Sequence, residues 1–399
     1  MSTFEVLRLG QMGDGIVETD SGLRHVPKVL PGELVQFEGS VTTVVRPSPD
    51  RIQPFCAHYA QCGGCKFQHW TGERYAAWKS ERVASTLAAH GVVPKAFHPM
   101  VDGHGTGRRR VSLHVRNHDG VWVAGFMEQK THDLRAITTC PVLTPALAEA
   151  PRIAAAFGPS LGDCDVALTA TDNGIDVSIK AERKAVERRL PVLSSLFADL
   201  KLARLSINGE IFSTRHTPFM AMGQARVPLP AGSFLQATAA GEAALVALVM
   251  KSLPKVKRVA DLFAGIGTFS FSLAEKAQVH AIDSDKSAIT ALQQGVRHTQ
   301  GLKPITAEVR NLFNAPLTAQ ELAEYDAIVL DPPRAGAEAQ CRMIAKSKLR
   351  HVTYVSCDPQ SFARDASLLA GAGFTLADVT PVDQFKYTAH VEMVGVFKR

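Results

Sequence analysis

The sequence predicts an α/β protein. Its C-terminal part reads as a doubly wound, mostly parallel sheet, preceded by a small β-barrel and a central α+β part. Three observations predict this. From about residue 230, strand-like apolar runs alternate with helical patterns. Those runs end in turns built from Gly, Pro and Asp, such as Asp261 to Thr268 and Asp331-Pro332-Pro333. The first 46 residues instead break into short β-rich runs separated by glycines.

A chain of 399 residues exceeds one ordinary core. The expected division is 1–50, 51–230 and 231–399. Hydrophobic residues at 46% and charged residues at 21% describe a soluble folded protein. No apolar run approaches the ~20 residues needed to cross a bilayer. The start, Ser2-Thr3-Phe4-Glu5-Val6, has no basic segment leading an apolar one, so a cytoplasmic location is expected. A net charge of +6 is compatible with a polyanionic partner without requiring one. Seven cysteines, an odd number, point to metal or catalytic use rather than a disulfide framework.

In the first part, strands are predicted at Phe4 to Leu9, Gly15 to Glu18, Leu34 to Phe37 and Val41 to Val45. Such a barrel suits oligonucleotides. Pro47 to Asp50 reads as a linker. Then Cys56, Cys62 and Cys65 fall within ten residues around Gly63-Gly64, and Cys140 follows much later. Four thiolates can hold zinc or a [4Fe–4S] cluster; the three-plus-one spacing leans to the cluster. Glu73 to His90 reads as an amphipathic helix. Arg108-Arg109-Arg110 opens a strand that turns at Asn117 to Gly120 into a second, Val121 to Phe126. The arginine run is either a solvated edge or a phosphate contact. Strands at Val166 to Thr169, Ile175 to Ile179 and Leu202 to Asn208, with a helix over Ala181 to Leu190, complete the middle part.

In the last part, a helix over Ala240 to Leu253 precedes a strand at Arg258 to Leu262. A helix through Phe269 to Lys276, strands Val279 to Ile282 and Ala327 to Leu330, and a buried strand Val352 to Val355 follow. Ser356, Asp358 and Pro359 end that strand and leave Cys357 at its C-terminal lip, where open α/β sheets bind ligands. A thiol there is either a buried hydrophobe or a nucleophile. Gly265 and Gly267 admit a ligand close to the backbone, and Asp283 ends the next strand, where ribose hydroxyls would sit. The third Gly of the dinucleotide pattern is absent. Asp261 fits a cationic cofactor, S-adenosylmethionine, better than a pyrophosphate. Glu392 lies among apolar residues, where a carboxylate has either a partner or a task.

The pattern Gly10 to Gly15, Val26-Pro27 and Leu30 to Glu33 resembles the TRAM domain of RNA-modifying enzymes. The larger set is Cys56-x5-Cys62-x2-Cys65 with Cys140, Phe234-Leu235-Gln236, Asp261 to Gly267, Asp331 to Gly336, Tyr354 to Pro359 and His390-Val391-Glu392. Together these resemble the RNA uridine-5 methyltransferases, over nearly the whole chain. The resemblance implies a Rossmann-like class I methyltransferase domain and methylation of uridine C5 with S-adenosylmethionine. It implies Cys357 as nucleophile at C6 and Glu392 as base. Gln236, Phe263, Thr268, Asp283, Asn311 and Asp331 would line the cofactor site. Cys56, Cys62, Cys65 and Cys140 would hold a [4Fe–4S] cluster. The substrate would be RNA, rRNA before tRNA, with the uridine flipped or single-stranded; a monomer is expected. The other reading is a non-catalytic RNA-binding protein on a degenerate methyltransferase fold. Three positions depart from the family pattern: Asp283 stands for Glu, Thr268 for Asn, and Ala237-Thr238 for Val/Pro-Asn.

Overall fold

The C-terminal sheet is organised by strands that are buried on both faces. The computed structural model describes every residue except Met1, Ser40, Gln129, Lys130 and His132. Its strands are β1 Arg258–Leu262, β2 Gln278–Asp283, β3 Ile305–Val309, β4 Ala327–Leu330, β5 His351–Ser356, β6 Thr375–Val382 and β7 Glu392–Lys398. The order is β3-β2-β1-β4-β5-β7-β6, with the short strand Ala96–Phe97 at the far edge. Strands β1 to β5 run parallel; β7 is antiparallel to both β5 and β6. Every residue of β4 and β5 is buried. Helices cover both faces, which is why those strands read as unbroken apolar runs. This is the doubly wound α/β fold that the sequence predicts.

Caps fix where the flanking helices start. Asp285 accepts from the amides of Ser287 and Ala288 and opens helix Lys286–Arg297. Asp358 accepts from Gln360 and Ser361 and, with Pro359 in the first turn, opens helix Pro359–Gly371. Cys357 is thus held between the end of β5 and a capped helix.

A seven-stranded central sheet holds Arg110–His118, Val121–Met127, Cys164–Thr171, Gly174–Lys180 and Arg204–Ile207 among its strands. Helix Gly72–Ala89 does not join it. Val83, Leu87 and Val92 enter the core of the C-terminal sheet instead, and the helix packs on Pro359–Gly371. The N-terminal residues form a five-stranded antiparallel sheet around Val6, Val17, Val26 and Val35.

Several elements differ from expectation. Gly22–Val26 is a fifth N-terminal strand; its glycine start and arginine hid it. The helix expected over Phe269 to Lys276 is a single turn, Ser270–Leu273, because bonds of the tighter i to i+3 kind take over at Glu275 and Lys276. The helix expected over Ala181 to Leu190 stops at Glu187, and a second begins at Leu190. Pro191 has no N–H to bond the Glu187 carbonyl, so the first helix cannot continue. Strands β3 and β6 were not expected; β3 carries polar residues at an edge, and β6 contains Pro381. Among the described residues no helix is long and apolar enough to cross a membrane.

Candidate functional site

Because β7 runs against β5, its first residue lies at the same lip where β5 ends. Ser356 pairs with Met393, so Cys357 and Glu392 come next to each other just beyond. Asp331 follows β4 directly. The sheet therefore gathers a thiol and two carboxylates at one place. Cys357 lines a cavity of about 320 Å³ with Arg334, His390, Arg82, Arg8 and Gln11.

The electrostatics follow from burial. The Cys357 thiol is pushed up to about 12, first by burial and then by the charges of Glu392 and Asp331; Arg334 opposes this. Glu392 is raised to about 7 by burial, against a hydrogen bond from Gln384 and the charge of Arg334. Asp331 is raised well above the usual carboxylate range by burial, Glu392 and Asp261. A chain of amides joins these groups. Gln236 Nε2 donates to Asp331 Oδ2 at 3.1 Å. Gln384 Nε2 donates to Gln236 Oε1 at 2.7 Å and to Glu392 Oε1 at 3.0 Å.

Asp261 is fully buried and raised to about 7 by burial. Ser270 Oγ donates to its Oδ2 at 2.5 Å, while Oδ1 has no partner. Such an orphaned buried acceptor fits a donor from a bound molecule. Phe263 holds φ at 62°, a left-handed conformation rare for a non-glycine residue. Gly265 follows at φ 56°, and a side chain there would meet nothing within 4 Å, so the turn has an open side. Asp283 braces that turn: its oxygens accept from the amides of Gly265 at 2.9 Å and Asp285 at 2.8 Å. Asn311 is exposed and accepts from the Phe313 amide at 3.0 Å; the Phe313 ring lies 5.5 Å from that of Phe263. Thr268 stands half-buried in the same turn. The residues present suit a cationic, nucleoside-bearing cofactor: buried carboxylates, an open glycine turn and an aromatic pair. Gln236, Asp331 and Glu392 form one bonded group; Phe263, Asp283 and Asn311 form the turn side.

Cys56, Cys62, Cys65 and Cys140 line one cavity of about 150 Å³ with Gln68 and Arg108. Burial raises the thiols of Cys62, Cys65 and Cys140, the last two to about 11 and about 12. Lys28 faces Cys62, and Arg108 faces Cys65. Arg108 Nε is a buried donor without a partner, while the Gln68 side chain reaches Cys65. Among the described residues no three His, Cys, Asp or Glu side chains converge tightly enough to hold one ion. The cavity is lined by four thiols with two cations beside them, which would offset the charge of those thiols as thiolates.

The arginine run is neither a solvated edge nor a free phosphate contact at its centre. Arg109 is buried; its Nε donates to the Gln236 carbonyl at 2.9 Å and its guanidinium pairs with Glu242 at 2.5 Å. It props up the loop that carries Gln236. Sequence reasoning missed Gln384 and Lys79. Gln384 carries no motif, although a polar side chain eight residues before Glu392 was a usable signal. Lys79 pairs with Asp383 at 2.6 Å across a separation no local pattern reveals.

Residues 225–399 match the family model described as tRNA (uracil-5-)-methyltransferase. An uncharacterised RNA methyltransferase from Caulobacter vibrioides is 43% identical over the full length of both chains. The 23S rRNA (uracil(1939)-C(5))-methyltransferase of Halomonas elongata is 31% identical, over 96% of this chain and 86% of that one. The tRNA (uracil-54, C5)-methyltransferase of Pyrococcus abyssi, solved with S-adenosyl-L-homocysteine, superposes with a TM-score of 0.75 at 22% identity, covering 99% of each chain. That superposition shares the fold. With the sheet order above and full-length identity beyond 30%, the chain belongs to the RNA uracil-C5 methyltransferase family.

Proposed function

We propose that this enzyme methylates C5 of a uridine in RNA, with Cys357 as nucleophile and Glu392 as base. The observation that carries the reading is the β5–β7 register, which sets the two side chains at one lip beside Asp331. Uracil C5 is too weak a nucleophile to accept a methyl group unaided. Bonding of the Cys357 sulfur to C6 pushes the ring's electron pair onto C5 as an enolate. S-adenosylmethionine supplies an electrophilic methyl on a cationic sulfur. Glu392 then takes the C5 proton, the C5–C6 double bond re-forms, and the Cys357 sulfur leaves with its electron pair.

The electrostatics support this division of labour. A thiol at about 12 is idle in the free protein. Asp261, Asp331 and Glu392 would hold the cofactor's cationic end, and a positive charge there would lower the cost of the Cys357 thiolate. A base near 7 suits neutral pH. Gln236, Asp331 and Phe263 are the best-supported cofactor residues. Asp283 and Asn311 act on the turn, and Thr268 is its lesser neighbour. The four cysteines are read as ligands of a [4Fe–4S] cluster. The three-plus-one spacing of the four cysteines supports the cluster over zinc. The Halomonas relative favours rRNA as the target, with tRNA the alternative.

RNA carrying 5-fluorouridine tests the mechanism, because fluorine cannot leave as a proton. With the correct RNA and cofactor, a covalent complex stable to denaturing gels is expected. Cys357→Ala should bind RNA and form none. Methyl transfer by Cys357→Ala at the native rate would overturn the reading.

A further inference from the structure

We propose that Gln384 is the positioning residue of this site, one amide that sets both the proposed base and the proposed cofactor-facing amide. The inference rests on the reading of Glu392 as base. The Gln384 side chain is fully buried. Its two N–H groups go to Gln236 Oε1 at 2.7 Å and Glu392 Oε1 at 3.0 Å, and its Oε1 accepts from the Ala237 amide at 3.0 Å. The Ala237 bond fixes which end of the amide is oxygen. Both hydrogens must then point where they do. Among the described residues no other hydrogen bond reaches the Glu392 carboxylate.

The direction of this chain matters. Gln384 donates to Gln236 Oε1, which turns the Gln236 amide so that its own N–H meets Asp331. One side chain therefore orients groups on both sides of the lip. Gln384 is itself tightly packed. It sits against two glycines: a methyl group on Gly241 would lie 2.6 Å from Gln384 Cβ, and one on Gly103 would lie 3.3 Å from the Gln384 backbone nitrogen. The next residue back, Asp383, is held by the buried Lys79 at 2.6 Å.

The charged and titratable groups facing Glu392 are Cys357 after β5, and Asp331 and Arg334 after β4. On the packed helices, Lys79 is matched by Asp383 and Glu242 by Arg109. Of these groups only Arg334 favours the charged carboxylate. Gln384 is the neutral donor that joins it.

Gln384→Met keeps the size and removes both donors. The test is the pH dependence of kcat with RNA substrate, alongside KM for S-adenosylmethionine and a thermal melt. The native enzyme should lose kcat as pH falls through Glu392, and Glu392→Gln should lack that limb. In Gln384→Met the limb should move up by about one pH unit, with kcat at pH 7 falling more than KM rises. An unmoved limb in a folded variant overturns the inference and leaves the base reading intact. A native profile that Glu392→Gln does not alter overturns the base reading and this inference with it. Should Gln384→Met fail to fold, Gln384→Glu gives the same readout. Its carboxylate faces Glu392 and should move the limb further up; no movement there is also fatal.

Discussion

Two parts of the molecule bury thiols with their affinities for protons pushed equally high, yet the groups around them differ. Cys357 and Cys140 are each raised to about 12 by burial. Around Cys357 stand Glu392 and Asp331, with Arg334 as the opposing charge. Around the four-cysteine cavity stand Lys28 and Arg108. The first site repels a thiolate until a cation comes; at the second, Lys28 and Arg108 would offset the charge of thiolates gathered around a metal centre. Burial alone does not say what a cysteine is for. Its neighbours do: carboxylates at one site, other thiols and two cations at the other.

The largest expected effect separates chemistry from binding at the first site. Glu392→Gln should cut turnover by on the order of 10² to 10⁴, while the covalent complex forms and persists on ordinary uridine RNA. Quenched gels against product formation measure both. In the native enzyme Glu392 is ionised above about 7 and protonated below it, so activity should fall on the acid side of that value. A flat profile from pH 5 to 8 would break the contrast.

Next in size, Asp331→Asn removes one negative neighbour from the thiol. The Cys357 thiol should then ionise at a lower pH. Alkylation by iodoacetamide at pH 8 in the free protein should speed by about tenfold for each pH unit that the thiol comes down. Cofactor affinity, read by calorimetry, should fall at the same time. Slower alkylation would mean that the carboxylate is not what restrains the sulfur.

At the second site, Cys140→Ser should lower bound iron and sulfide, assayed chemically, and drop the melting temperature by several degrees, as expected when a bound group stabilises the fold. Its turnover per folded molecule should fall less than that of Glu392→Gln. The smallest change is expected of Lys28→Met, which loses a cation and hydrogen bonds to the carbonyls of Tyr59, Ala60 and Cys62. Urea unfolding should show a loss of about 1–3 kcal/mol.

Legibility in the sequence followed the range of the interactions. Cys357 was visible because the strand before it ends at a ligand-binding lip, and Glu392 because a carboxylate conflicts with its apolar surroundings. The four cysteines were visible through their crowding. The β4 strand was visible as an unbroken apolar run, and β1, β2 and β5 through clustered β-favouring residues that end in Asp, Gly or Pro turns. What stayed hidden depends on partners brought close only by folding. Arg109 read as a solvated edge or a phosphate contact because its partners Gln236 and Glu242 lie 127 and 133 residues on. Gln384 meets Gln236 at a separation of 148. Strand β3 pairs along one side alone and carries the mixed pattern of an edge.

The Lys79–Asp383 pair spans 304 residues of chain. A ribosome adding about 5–20 residues per second separates the two by roughly 15–60 s. During that interval the ammonium and the apolar stripe of helix Gly72–Ala89 have no berth, because Pro359–Gly371 and the segment before β7 do not yet exist. The amphipathic helix must therefore wait for its final berth until nearly the last residues emerge, so its docking is a late event in the folding of the chain.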